Sequence, residues 1–167
     1  MAYTLEQLAA DCHAAIDADN GPGGRETVRR HVETALKDKE FVAAHFGPDN
    51  TTPRKILYED PDYGFCILAH VYEGAKGSTP HDHGPSWAIY GQAEGVTEMT
   101  DWRKLKAPEG DEPGTVEAVR VYNLEPGMAA CYNEGDLHSP RREDTTRLIR
   151  IEGVNLEGMK RDRYVAA

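Results

Sequence analysis

Apolar positions at the start of the chain recur with the spacing of an α-helix. Thr4-x-x-Gln7 has the form of a capping box, in which a threonine hydroxyl and a glutamine side chain satisfy free N–H groups of the first turn. The apolar positions that fit one helical face are Leu5, Leu8, Ala9, Cys12 and Ile16. The Gly- and Pro-rich segment 20–24 is predicted to end this helix.

A second helical pattern follows and stops at Gly47-Pro48. Its main apolar positions are Val28, Val32, Ala35, Leu36, Val42, Ala43 and Phe46. The sequence therefore predicts two helices within residues 1–48.

From about residue 54 the pattern changes to short runs of β-forming residues. These runs are Ile56–Tyr58, Phe65–Tyr72, Trp87–Tyr90, Val96–Trp102, Val116–Tyr122, Met128–Tyr132 and Leu148–Ile151. Turns rich in Gly, Pro, Asp and Asn separate them, and many short strands at this spacing predict a mainly β sandwich or barrel. The polar segment Lys104–Gly114 contains Pro and Gly and is predicted to be a long surface loop.

Length and composition restrict the number of domains and the kinds of partner. A chain of 167 residues fits a single domain, here divided into a helical segment 1–48, a barrel 54–152 and a C-terminal extension 153–167. The net charge of −10 argues against nucleic acid or an anionic membrane as a partner. Three dispersed cysteines, no secretory signal and no long apolar run predict a soluble cytoplasmic protein.

The candidate chemistry centres on three histidines. His81-Asp82-His83 precedes a strand-like run, and side chains at i and i+2 on a strand point to the same face. His138 follows over fifty residues later, in another turn that runs into a strand. One histidine pair and one distant histidine are typical of a catalytic metal site, because three protein ligands leave positions open for substrate. Asp82 points the opposite way and is a weaker candidate.

These residues resemble the two metal-binding motifs of the cupins. Gly77-x-x-x-His81-x-His83 with Gly95 is similar to the first motif, and Gly127 with Gly135-x-x-His138 is similar to the second. The resemblance implies a cupin double-stranded β-helix, a jelly-roll barrel that holds a metal between the motifs. The glutamate usual in the first motif is missing, since its position falls on Trp87 or Ala88. Three neutral imidazoles favour an anionic substrate that supplies the missing negative charge.

A three-histidine cupin site is most similar to that of the thiol dioxygenases, the cysteine dioxygenase group. Gly77-Ser78-Thr79-Pro80-His81-Asp82-His83 fits the corresponding stretch of that group. The resemblance implies Fe(II), dioxygen and a small anionic substrate, with Zn, Ni or Mn as alternative metals. It departs at Ala88, where no Cys–Tyr cross-link can form, and at 148–152, which lack the group's Ser-x-His-x-Tyr. The surroundings of the metal are therefore expected to differ, and the substrate with them.

Three other residues are candidate catalytic groups. Arg54 stands near the place where thiol dioxygenases carry an arginine for the substrate carboxylate, and Arg150 on the last barrel strand is its alternative. Arg150 could instead pair with Glu152 or face solvent if the register slips by one residue. Tyr90 is expected to share the cavity face with Ala88 and could donate a hydrogen bond to a bound oxygen species or only pack there.

Two other functions stay open beside the Fe(II) dioxygenase. A redox-neutral isomerase or lyase would use Zn, Mn or Ni as a Lewis acid with a general base. A binding module would use the metal only to order the barrel. By analogy with small cupins that pair their open sheet edges, a homodimer is also expected.

Overall fold

The computed structural model describes residues 2–167 and contains three helices before the barrel. They are α1 (Leu5–Ala18), α2 (Pro22–Leu36) and α3 (Lys39–Phe46). The capping box of α1 is confirmed, because Thr4 Oγ1 accepts from the Gln7 N–H at 3.1 Å while the Gln7 side chain accepts from the Thr4 N–H at 2.9 Å.

The prediction of two helices was wrong by one, because Asp38 interrupts the second pattern. Its carboxylate accepts from the backbone N–H groups of Glu40 and Phe41 and so caps a new helix. The apolar residues on both sides of the break still lie in one core, which is why the apolar pattern continues across it.

Ten strands form two five-stranded sheets. They are β1 (Arg54–Glu59), β2 (Cys66–Tyr72), β3 (Lys76–Gly77), β4 (Ala88–Glu94), β5 (Thr97–Lys106), β6 (Gly114–Leu124), β7 (Ala129–Tyr132), β8 (Leu137–Arg142), β9 (Thr146–Glu152) and β10 (Tyr164–Ala166). The first sheet has the order β1-β2-β9-β4-β7 and the second β10-β6-β5-β8-β3. All pairs are antiparallel except β10 with β6.

The two sheets enclose an interior to which both contribute side chains. Tyr90, Tyr132 and Leu148 from the first sheet pack against Met99 and Leu124 from the second. Strands that alternate between two facing sheets give the jelly-roll barrel. The mainly β jelly-roll barrel expected from the sequence is confirmed.

The central strands of the first sheet, β2, β9 and β4, are buried on both faces. On β2, Ile67 and Ala69 face the three helices, whereas Leu68 and His70 face the barrel interior opposite Arg150 and Leu148 of β9. A strand buried on both sides loses its polar alternation, and this explains the nearly unbroken apolar run of β2.

The segment predicted as a long loop is shorter than expected, because β5 continues to Lys106 and β6 begins at Gly114. The extension after residue 152 carries β10, whose Tyr164 packs with Val116 and Leu137. The partition into three segments stays a prediction. Within residues 2–167 no helix combines the length and the apolar character that a membrane crossing needs.

We expect Gly91 on β4 to be essential for the contact between the barrel and α2. A Cβ at this position would lie 2.6 Å from Ile149 Cγ2 and 2.7 Å from Val32 Cγ1, and these branched side chains cannot rotate away easily. Gly91→Ala should lower the free energy of unfolding by about 1–3 kcal/mol, measured by urea denaturation.

Gly77→Ala is the matched control. Its Cβ would meet its nearest neighbour at 3.6 Å, an ordinary contact, and the change should cost less than about 0.5 kcal/mol. Equal stability of the two variants would contradict close packing at Gly91.

Candidate metal centre

A backbone bridge brings two of the histidines together. The His81 N–H donates to the His138 carbonyl at 3.0 Å, and the His138 N–H donates back to the His81 carbonyl at 2.9 Å. His83 lies two residues farther on, at the start of a turn in which Gly84 has φ +60°. The side chains of both predicted motifs therefore meet at one point in the barrel, on the side of β8.

The geometry of the three imidazoles suits a single ion. Their candidate ligand atoms lie within 4.8 Å of one another, and His83 Nε2 is 3.0 Å from His138 Nε2. Two nitrogens bound to one ion at about 2.1 Å have this separation when the angle between the bonds is near 90°. All three side chains are buried.

The outer ring nitrogens of two histidines are fixed by backbone carbonyls. His81 Nδ1 lies 2.9 Å from the Thr79 carbonyl, and His138 Nδ1 lies 2.9 Å from the Asp136 carbonyl. A carbonyl only accepts, so each Nδ1 carries the proton and each Nε2 turns a lone pair toward the centre. Such outer contacts are the usual support of metal-binding histidines.

His83 is held differently. Its Nδ1 lies 3.3 Å from the Arg150 guanidinium, which only donates hydrogen bonds. A metal-bound His83 would carry its proton on Nδ1, and Arg150 would then have to turn toward another acceptor. The three histidines fit a divalent ion, and Arg150 is the neighbour whose position depends on what else occupies the site.

Burial keeps the three imidazoles neutral at physiological pH. Desolvation lowers the pKa of His81 to about 4, and it lowers the pKa values of His83 and His138 far below their ordinary range. Neutral imidazole is the form that binds metal, so protons do not compete for these nitrogens near pH 7.

Two tyrosines complete the walls of the centre. The Tyr90 hydroxyl lies 3.1 Å from both His83 Nε2 and His138 Nε2, and burial raises its pKa, so the hydroxyl keeps its proton. The Tyr132 ring stacks on His138 with ring centroids 3.9 Å apart, while its hydroxyl donates to Asp101 at 2.8 Å. The expected inward direction of Tyr90 agrees with this placement, and its catalytic role stays a prediction.

The two candidate arginines have different surroundings. Arg54 donates to Glu152 at 3.1 Å and to Asn155 at 2.9 Å, and it does not line the cavity beside the histidines. Arg150 faces the interior, where its Nε lies 3.3 Å from Glu152 and its guanidinium lies over the Tyr90 ring at 5.1 Å. The structure thus brings Arg150, and not Arg54, to the histidines.

Sequence reasoning missed the other basic residues of the centre. Arg142, Arg161 and Lys76 line the cavity next to His81 and Arg150. A signal for Arg142 was present, because it lies four residues after His138 on β8 and therefore shares its face of the strand. Arg161 lies in the extension, where no periodic pattern indicated its position.

A second group of metal-binding residue types lies at the surface. His13 Nδ1 is 2.8 Å from Asp60, whose carboxylate also accepts from Tyr58 Oη at 3.0 Å and from the backbone of Tyr63 at 2.8 Å. These contacts use the carboxylate to shape a turn, which gives His13 and Asp60 a structural role.

Comparisons with known proteins found only distant similarities to solved structures. No protein-family model matches the chain, and no curated protein matches its sequence. Similar solved structures include a cupin superfamily protein from Desulfitobacterium hafniense, with 10% identity over 64% of this chain and 80% of that chain at a TM-score of 0.45.

Two further solved structures are similar at the same level. KdgF from a Halomonas species shares 20% identity over 62% of this chain and 81% of that chain, with a TM-score of 0.45. A cupin-2 domain protein from Shewanella frigidimarina shares 15% sequence identity over 59% of this chain and 76% of that chain, with a TM-score of 0.42. Such distant likenesses carry nothing about metal or substrate, so those follow from the residues of this chain alone.

We expect His138→Ala to remove most of the metal, because two imidazoles bind a divalent ion far more weakly than three. The measurement is elemental analysis of protein purified without added metal. His70→Gln is the control, since His70 is also a buried barrel histidine but stacks on Tyr72 and does not belong to the three-histidine group. Full metal occupancy in His138→Ala would contradict the assignment.

We also expect the metal-free protein to lose stability as the pH falls below about 6.5. His81 has a folded pKa of about 4 against 6.5 in an unfolded chain, so the unfolded state binds more protons in this window. Between about pH 6.5 and pH 5, His81→Gln should lose about 1.5 kcal/mol less than the parent. Urea denaturation at each pH measures this, and equal losses would contradict a neutral, buried His81.

Proposed function

We propose that this chain is an iron(II)-dependent dioxygenase that oxidises a small anionic substrate, of thiol or carboxylate type. The observation that carries the proposal is the composition of the centre, a buried group of three histidines and no acidic ligand. Such a group leaves the charge of a divalent ion to be balanced by the substrate. It also leaves positions open for a second small molecule.

The residues around the centre suit this chemistry. When bound, iron(II) would supply the redox chemistry by which dioxygen oxidises an electron-rich substrate. Arg150 would hold the anionic end of the substrate, since it lies at the edge of both the histidines and the cavity. The protonated Tyr90 hydroxyl would donate a hydrogen bond next to His83 and His138, which are buried in the barrel.

A redox-neutral isomerase or lyase would need a general base within reach of the substrate. The residues that line the cavity include no carboxylate, and burial raises the pKa of Tyr90, which makes it a poor base near pH 7. These two observations support the dioxygenase over the Lewis-acid enzyme. The open positions of a three-histidine group support an enzyme over a module that only binds metal.

Identification with the cysteine dioxygenase group in particular rests on the motif Gly77–His83 and the missing glutamate alone. The homodimer and the cytoplasmic location stay predictions.

The deciding experiment is elemental analysis of protein purified anaerobically, coupled to oxygen uptake with a panel of small thiols and dicarbonyl acids. We expect iron near one per chain and oxygen uptake that depends on substrate. Zinc or nickel without uptake would contradict the dioxygenase and favour Lewis-acid chemistry. Protein without metal would contradict the metal centre itself.

Tyr90→Phe tests the hydroxyl without removing a ligand. It should keep its iron and lose about 10- to 100-fold in kcat, because a hydrogen-bond donor at the reacting atoms is lost. Tyr122→Phe is the control, since its hydroxyl contacts Tyr132 rather than the histidines. An unchanged kcat in Tyr90→Phe would leave Tyr90 with a packing role only.

A further inference from the structure

Four basic side chains converge on one small cavity beside the histidines. The cavity has a volume of about 150 Å³ and is lined by Tyr72, Lys76, Gly77, Ser78, His81, Tyr90, Pro140, Arg142, Arg150 and Arg161. No acidic residue is among them, although acidic residues outnumber basic ones by 29 to 19 in the chain. The cavity is therefore locally positive, although the chain as a whole carries a net negative charge.

Arg142 is the residue of this cavity that most clearly indicates a role in binding an anion. It is 5% exposed, and its Nε is buried without a hydrogen-bond partner. Within residues 2–167 no carboxylate lies within ion-pair distance of it, and its guanidinium only covers the Tyr72 ring at 4.3 Å. A buried, unpaired cation is costly, and proteins keep such a group where a ligand supplies the counter-charge.

The other cations differ in how far they are already neutralised. Arg150 has an internal partner in Glu152, which it shares with Arg54. Lys76 lies over the Tyr72 ring at 4.8 Å, on the same ring as Arg142, and both Lys76 and Arg161 are exposed at the rim. Neither Lys76 nor Arg161 forms an ion pair within the described part of the chain. Three positive charges are thus left without an internal partner.

We propose that this cavity binds a compact dianionic head group, a phosphate or phosphonate, of the substrate that reacts at the three histidines. The inference rests on the proposed function for the reacting end of that substrate and names its other end. A single carboxylate would balance one of three unpaired cations, whereas a phosphate monoester carries a charge of about −1.5 to −2 at pH 7.

The size of the cavity points to the same group. At about 150 Å³ it is smaller than the roughly 300 Å³ or more of pockets for larger ligands, which suits one compact tetrahedral group. Arginine forks bind such oxygens in pairs, so Arg142 and Arg150 can each present two N–H groups to the anion. The Ser78 hydroxyl, which also lines the cavity, can donate to a third oxygen.

The proposal is tested on metal-free protein with inorganic phosphate as the probe and acetate as the comparison. Isothermal titration calorimetry at about pH 7.5 should show phosphate binding at least about tenfold tighter than acetate. Arg142→Gln should weaken phosphate binding by about 10- to 100-fold, because charge-assisted hydrogen bonds are lost.

Arg141→Gln is the matched control. Arg141 is the neighbour of Arg142 on β8, and its exposed side chain lies 3.8 Å from Glu143 rather than in the cavity. This variant should bind phosphate as the parent does. If Arg142→Gln does not fold, Arg161→Gln at the rim replaces it, with an expected loss of about threefold or more.

Phosphate that binds no tighter than acetate, or equally in parent and Arg142→Gln, would overturn the proposal. Malonate as a third probe separates one compact dianion from two carboxylates, and tighter binding of malonate would also overturn it. Because no metal is present, the outcome is independent of the proposed reaction. Tight phosphate binding without oxygen uptake would support the anion subsite and contradict only the dioxygenase.

Discussion

The alternation of side chains along β9 is the constraint on which both the core and the candidate site depend. Ile149 and Ile151 face the helices, and Leu148, Arg150 and Glu152 face the barrel interior. A shift of one residue would place an arginine and a glutamate against the helices and two isoleucines beside the histidines. Burial of the isoleucines on one face therefore fixes the polar groups on the other.

Glu152 links the register of β9 to the position of Arg150 in the candidate site. Its carboxylate lies 3.3 Å from Arg150 Nε on one side and 3.1 Å from Arg54 on the other, and it accepts from the Leu156 N–H at 3.0 Å. It therefore neutralises Arg150 from behind and leaves the outer edge of that guanidinium toward His83 and the cavity. The register of β9 thus places Glu152 between the two arginines. Arg54 has a structural role on one side of it, and Arg150 faces the candidate site on the other.

The balance of charge links the histidines to the cavity. Neutral imidazoles add no negative charge, and Arg142 adds a positive one without an internal partner. A divalent ion at the histidines would increase the excess of positive charge further. In an interior of low dielectric constant, such uncompensated charge costs free energy. Metal and anionic ligand are then expected to favour each other's binding, since each lowers the cost of burying the other.

The sequence by itself indicated most of the elements and the candidate metal ligands. Local periodicity showed α1 and most strands, and the His-x-His spacing with a later Gly-x-x-His selected His81, His83 and His138. Contacts between distant segments were decided only by the tertiary structure. In the sequence Arg54 was a candidate by its resemblance to the family position and Arg150 was its alternative. Strand pairing gave Arg54 an ion pair away from the cavity and Arg150 a place beside His83. Period and spacing are local properties of a chain, whereas charge balance depends on which strands pair and in which register.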